Sequence, residues 1–112
     1  MSLQQVTLID QKREVVATAQ VTEQDGTFTG RIDLSPMSVP QRRQFEAYEE
    51  IVSQQMFSLL DEIEEKIGSM LLQVVFADGH VAPLADLQIY PSTKKVSFKV
   101  VKEAAVRYPG ST

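Results

Sequence analysis

The residues of this chain that could act as an acid, a base or a nucleophile are few and scattered. His80 is the single histidine and follows Asp78-Gly79, and Ser92 and Ser97 come later along the chain. A general base needs an oriented partner within hydrogen-bond reach, and no Gly-x-Ser-x-Gly context surrounds either serine. A histidine beside a turn is typical of a solvated strand residue. We therefore predict no catalytic residue.

Carboxylates are the next candidates, as ligands of a metal ion. Glu46 and Glu49 are three residues apart, as are Glu62 and Glu65, so each pair shares one side of a helix. The di-metal carboxylate bundles also need Glu-x-x-His motifs on other helices, and this chain has no such motif. Cysteine is absent, which excludes disulfides and Cys-ligated zinc. We predict no metal site and no cofactor, and interpret the acids as a hydrated helix face.

Two arginines near the start of a predicted helix are the best candidates for ligand binding. Arg42 and Arg43 oppose the helix dipole at that end. One reason would be pairing with Glu46, which lies four and three residues further on. The other would be an anion held together with free backbone N–H groups. This second reading gives an alternative function: a ligand sensor or enzyme that binds an anionic nucleotide or phosphorylated metabolite, with Arg42, Arg43 and His80 around a pocket.

A short segment before the helix supports the same alternative. Asp33-Leu34-Ser35 resembles the Asp-x-Ser-x-x-Gly element of PilZ domains, and the resemblance implies binding of a cyclic dinucleotide. It covers three residues only. Ser38 occupies the position of the final glycine, and no Arg-x-x-x-Arg precedes the first strands.

Composition predicts one ordinary globular domain. The chain has 112 residues and a net charge of -4, which argues against a nucleic-acid surface. No apolar run approaches the ~20 residues that span a bilayer, and residues 1–6 do not resemble a signal peptide. We expect a single domain over residues 1–102, a mobile tail over 103–112 and a cytoplasmic location, without nucleic-acid or membrane partners.

Apolar alternation predicts short strands on both sides of one helix. Strands are expected over residues 6–9, 15–22 and 27–34, with an Asp25-Gly26 turn before the third. After the helix, strands are expected over 71–77, 80–83 (ended by Pro83), 87–90 and 95–101. Lysines along one face of the last strand suggest a sheet edge. The predicted fold class is α+β: an antiparallel meander, one long central helix and a second antiparallel segment, in the order βββ-α-βββ.

The helix is predicted over residues 40–67, with Ser38 and Gln41 as a capping box and Gly68 as its stop. Apolar residues recur on one face at three- and four-residue steps: Phe45, Tyr48, Val52, Met56, Leu59, Leu60, Ile63 and Ile67. Such a helix would be roughly 40 Å long. Strands of five residues span only ~17 Å, so they cannot cover it.

This mismatch predicts that part of the helix is covered by a second chain. We expect a small non-catalytic binding or adaptor module that self-associates through the helix as a homodimer, because isologous pairing uses one patch twice. The helix is also acidic and residues 94–107 are basic, so charge could assist pairing. The predicted partner-interface residues are Val52, Met56, Phe57, Leu60 and Ile63, with Phe57 reaching the partner.

Overall fold

A computed structural model describes residues 3–100 of the chain, and in this part six strands form a closed antiparallel barrel. Two helices joined by a 3-10 turn are inserted between the third and fourth strands. The elements are β1 (Gln4–Ile9), β2 (Val15–Gln24), β3 (Thr27–Asp33), α1 (Val39–Ser53), the 3-10 turn (Phe57–Leu59), α2 (Leu60–Gly68), β4 (Gln73–Val75), β5 (Val81–Tyr90) and β6 (Lys95–Val100). The predicted tail over 103–112 lies outside the described residues.

Closure of the barrel overturns the predicted α+β fold class. The strand order is β1-β2-β3-β6-β5-β4, and β4 pairs back onto β1 through Leu8 opposite Val74. An open sheet would need a helix to cover its apolar face. A closed barrel does not, because alternate residues of every strand face the interior and cover one another. The inward alternation of Phe28 and Ile32 is confirmed, but the rest of the barrel covers these residues and not a long helix, and at the start of β2 it is Val16 and not Val15 that faces inwards.

Stacked aromatic rings fill the interior of the barrel. Phe28 of β3 lies directly opposite Phe98 of β6, and their rings stack with centroids 5.1 Å apart. Phe76 approaches Phe28 on another side at 5.5 Å. The largest side chains with almost no exposure are Phe45, Phe98, Leu8, Ile89, Val6, Val21 and Val74. All but Phe45 belong to strands, so the barrel carries most of the core.

Gly30 allows β2 and β3 to approach closely. A Cβ atom at this position would lie 1.9 Å from the carbonyl oxygen of Gln20 and 2.8 Å from Cα of Val21. Both obstacles are backbone atoms of the neighbouring strand, which cannot move aside as a flexible side chain can. A glycine inside a strand often marks such a contact between backbones in a curved sheet.

The helical insertion begins and ends close to the predicted positions, but it contains two helices and not one. Ser38 caps α1 by accepting a hydrogen bond from the Gln41 backbone N–H, and the Gln41 side chain accepts one from the Ser38 N–H. α2 ends at Gly68.

No helix within residues 3–100 combines the length and apolar character that crossing a membrane requires.

The predicted helix over 40–67 breaks after Ser53. Gln55 adopts a left-handed conformation (φ 57°), and its N–H donates to the carbonyl of Val52 while the Met56 N–H donates to that of Ile51. These two bonds form a Schellman motif, which satisfies the last carbonyls of α1 and ends it. Glycine usually occupies the left-handed position. Here glutamine occupies it, so the usual sequence signal is missing.

Two further expectations about the strands are wrong. β5 continues through Pro83, because the Leu84 N–H points to β4 and donates to the carbonyl of Leu72. The nitrogen of Pro83 therefore points away from β4, to the side of β6. Its missing N–H interrupts no described hydrogen bond there, because the described pairing of β5 with β6 begins only at Leu84. β6 is not an edge, since β3 and β5 pair with it on either side. Its lysines simply face outwards.

Substitution of Gly30 tests the close approach of β2 and β3. Gly30→Ala should lower the free energy of unfolding by more than about 2 kcal/mol, because backbone must shift to admit the methyl group. Gly68→Ala is the matched control, since a Cβ atom there meets nothing within 4 Å. It should be neutral or stabilise the protein by up to about 1 kcal/mol. Chemical denaturation measures both, and equal effects would contradict this account of Gly30.

Candidate functional site

The break between the helices exposes apolar side chains on the surface. Phe57 is 59 % exposed and Leu59 46 % exposed. Val52, Met56 and Leu60 are half-buried beside them and pack against the core with their other sides. We call these five residues (Val52, Met56, Phe57, Leu59 and Leu60) the connection patch. Four of them belong to the predicted partner interface.

The fifth predicted interface residue, Ile63, is buried in the core. The predicted helix face placed Leu59 and Ile63 together, and the structure separates them. The reason is helical phase: a new helix starts at Leu60, so residues after the break no longer follow the 3.6-residue period of α1. Phe45, Tyr48 and Ile51 of α1 and Ile63 and Ile67 of α2 are the buried residues of the two helices.

The loop between β3 and α1 contains the residues of the predicted anion site. Asp33 accepts hydrogen bonds from the Ser35 hydroxyl (2.6 Å) and the Ser35 N–H (3.0 Å), and these bonds lower the pKa of the Asp33 carboxyl. Arg42 reaches back to this loop, and its Nη2 donates to the Leu34 carbonyl at 3.1 Å. Arg43 is exposed to solvent. Arg42 therefore holds the loop, while Arg43 is available at the surface.

Other cations lie close to the same loop. The Ile32 N–H donates to the carbonyl of Lys94, and the charge of Lys94 adds to the effect of Ser35 in lowering the pKa of Asp33. Arg31 lies directly opposite Lys95 across the β3–β6 pair, and both are exposed. Like charges in this arrangement repel one another. The sequence did not predict this grouping, because it depends on pairing of distant strands.

His80 stands apart from the arginines. It is exposed in the turn between β4 and β5, and its ring stacks on Phe76 with centroids 6.0 Å apart. No hydrogen bond or ion pair among the described residues joins His80 to Arg42 or Arg43. The three residues proposed for an enzymatic pocket are therefore not linked by any direct contact.

The acidic residues of the helices have separate roles. Glu49 accepts hydrogen bonds from both the backbone N–H and the hydroxyl of Ser92, which ties α1 to the β5–β6 turn. Glu62 pairs with Lys66 at 3.8 Å on the exposed side of α2. Within residues 3–100, no three histidine, aspartate or glutamate side chains are grouped so that they could hold a metal ion.

A tyrosine pair joins the helices to the barrel, and sequence reasoning missed it. The ring of Tyr48 in α1 lies 6.1 Å from that of Tyr90 in β5. Burial raises the pKa of Tyr48 to about 12, with further contributions from Tyr90 and from the negative charge of Glu64 in α2. Tyr90 donates its own hydroxyl proton to Gln88 Oε1 at 3.1 Å. Only the periodicity of α1 hinted that Tyr48 faces inwards.

Comparison with family models, curated proteins and solved structures gives no match for this chain. The function must therefore be inferred from the geometry alone.

The raised pKa of Tyr48 can be tested by alkaline titration. Ultraviolet absorbance should show one tyrosinate that forms near pH 12 in the wild type and is missing in Tyr48→Phe. Because the folded pKa lies above the ordinary value of 10, the unfolded chain loses this proton first. Stability should fall as the pH rises from 10 towards 12, and less steeply in Tyr48→Phe. Equal slopes would contradict burial of this hydroxyl.

Proposed function

We propose that this chain is a non-catalytic binding module that pairs with a second copy of itself through the connection patch. The observation that supports this proposal is the exposure of Phe57 and Leu59 within the same 3-10 turn, together with the half-buried apolar residues that flank it in the chain. Adjacent exposed apolar side chains often mark an interaction site. An exposed aromatic ring is also a frequent anchor of such sites.

The position of the connection patch supports a role in binding rather than folding. The barrel closes without the helices, and the buried residues of α1 and α2 include neither Phe57 nor Leu59. Phe57 and Leu59 can therefore contact another molecule without weakening the core. A second copy is the simplest partner, because a two-fold pair brings the same patch from both chains together.

The predicted mismatch between a long helix and short strands does not exist, because the helical segment is divided in two. α1 has 15 residues and α2 has 9, so neither is the 40 Å rod that strands could not cover. Unburied apolar surface remains at the connection between α1 and α2. The proposal therefore rests on the break itself, not on an overhanging helix.

A second candidate function is a sensor of an anionic nucleotide or phosphorylated metabolite at the β3–α1 loop. Lys94, Arg31 and Lys95 lie near this loop, and Arg43 is exposed in the first turns of α1. This favours the sensor, because an anion would relieve repulsion between Arg31 and Lys95, which face each other. The segment that resembles the PilZ element, Asp33-Leu34-Ser35, also lies in this loop. The two candidates use different surfaces and can be tested separately.

Charge placed at the centre of the connection patch tests the pairing. Phe57→Asp should abolish the dimer measured by light scattering and leave a folded monomer, because the side chain is largely exposed and a desolvated charge opposes association. Leu71→Asp is the matched control: Leu71 is also 59 % exposed, and aspartate tolerates its left-handed backbone (φ 54°). This control should keep the mass of the wild type.

Two results would refute self-pairing. One is a wild-type protein that stays monomeric at all concentrations accessible to light scattering. The other is a dimer that Phe57→Asp leaves intact or that Leu71→Asp disrupts equally. Circular dichroism of each variant should match the wild type, so that loss of association is not confused with loss of the fold.

The sensor is tested by thermal stabilisation with a library of nucleotides and phosphorylated metabolites. An anion that binds should raise the melting temperature of the wild type, and the shift should vanish in Arg43→Ala combined with Lys94→Ala. Arg42 is kept, because it supports the loop. Lys12→Ala combined with Lys66→Ala removes the same charge elsewhere and should retain the shift. If no anion stabilises the wild type, the sensor has no support.

A further inference from the structure

Two cavities between the helices and the barrel form one groove. The larger has a volume of about 720 Å³ and the smaller about 240 Å³. Tyr48, Glu64, Asp86 and Leu87 line both cavities, so the two meet at these four residues. We call this space the helix–barrel groove. Its larger part is within the size range of ligand pockets, which is roughly 300 to 1,000 Å³.

The larger cavity has an apolar wall. Its apolar lining residues are Ile67, Leu71, Leu72, Pro83, Leu84 and Leu87. They come from the end of α2, the segment that follows it and β5, so the wall runs along one side of the groove. Leu71 is exposed at its rim with a left-handed backbone. A hydrocarbon chain could be covered along this wall.

The junction of the cavities is rich in hydrogen-bond acceptors. Glu64 comes from α2 and Asp86 from β5, and both carboxylates line the two cavities. The single ion pair among the described residues joins Glu62 and Lys66, so neither carboxylate has a cationic partner within the described part of the chain. Arg13 lines the larger cavity alone and Lys99 the smaller alone. The junction itself is therefore acidic, with one cation in each cavity beyond it.

Tyr48 adds a third acceptor to the junction. Tyr48 is only 5 % exposed and lines both cavities. The hydroxyl proton of Tyr90 is already donated to Gln88, so Tyr90 does not donate to Tyr48. The lone pairs of the Tyr48 oxygen then remain available to a donor. A primary ammonium group carries three N–H donors and no acceptor, which matches two carboxylates and one hydroxyl oxygen.

A bulge in β5 places Asp86 in this position. Asp86 and Leu87 together face the single residue Phe98 of β6, and Asp86 has a left-handed backbone (φ 52°). Bulges often redirect side chains next to functional sites. Here the extra residue brings the Asp86 carboxylate and the Leu87 side chain to the same junction. The carboxylate suits a cationic group, and the leucine suits an apolar group.

We propose that the helix–barrel groove binds a small amphipathic organic cation. Its primary ammonium group lies at the junction among Glu64, Asp86 and Tyr48. Its hydrocarbon part lies along the apolar wall of the larger cavity. This site is separate from the connection patch and from the β3–α1 loop, and it does not depend on pairing of two chains.

Calorimetric titration with matched probes tests the proposal. n-Hexylammonium chloride should bind the wild-type chain, whereas sodium hexanoate, which has the same hydrocarbon length and the opposite charge, should not. Butylammonium should bind about 15-fold more weakly than hexylammonium, because each buried methylene contributes about fourfold in affinity. Amide signals of Glu64, Asp86 and Leu87 should shift in NMR spectra as hexylammonium is added.

Variants show whether the junction carries the binding. Glu64→Gln and Asp86→Asn should each weaken hexylammonium binding at least tenfold, and both positions are exposed enough for the fold to persist. Glu65→Gln is the matched control, since Glu65 is an exposed neighbour on α2 that lines neither cavity. The proposal fails if hexanoate binds as tightly as hexylammonium, if neither probe binds, or if Glu65→Gln weakens binding as much as Glu64→Gln.

Discussion

Closure of the barrel is the constraint on which the other features depend. The short β4 strand pairs with both β1 and β5, and this completes a cylinder in which every strand has two neighbours. Completion buries the alternating apolar residues without an additional layer and leaves no described strand with an unpaired edge. It requires tight curvature, which Gly30 permits at its contact with the backbone of β2, and a filled interior, which Phe28 and Phe98 supply.

Because the barrel closes by strand pairing alone, the two inserted helices are not needed to complete it. α1 is held to it by Tyr48 against Tyr90 and by Glu49 on the backbone and hydroxyl of Ser92. α2 packs mainly on α1. The helices therefore lie beside the barrel rather than closing it. This arrangement creates two surfaces: the connection patch between α1 and α2, and the helix–barrel groove between the helices and the strands. Both proposed binding surfaces follow from the same insertion.

Several elements of the fold could be predicted from the sequence because their causes are local. The alternation of Phe28 and Ile32 gave the inward face of β3, and Ser38 with Gln41 gave the start of α1. By contrast, the end of α1 was not predicted. A glycine usually marks the left-handed residue that ends a helix, and here that residue is Gln55. Without that break the sequence predicts one long helix, and the long helix in turn predicts an open sheet whose apolar face it would cover.

The sequence by itself determined the strands that alternate, the cap that begins the helices and the absence of cysteine chemistry, because periodicity, capping and composition act over a few residues. Only the tertiary structure decided that the strands close on themselves, that Arg31 faces Lys95, and that Glu64 and Asp86 meet beside Tyr48. These contacts join residues far apart in the chain. Their formation depends on strand order and on the angle at which the chain turns, and neither quantity is encoded in a local pattern.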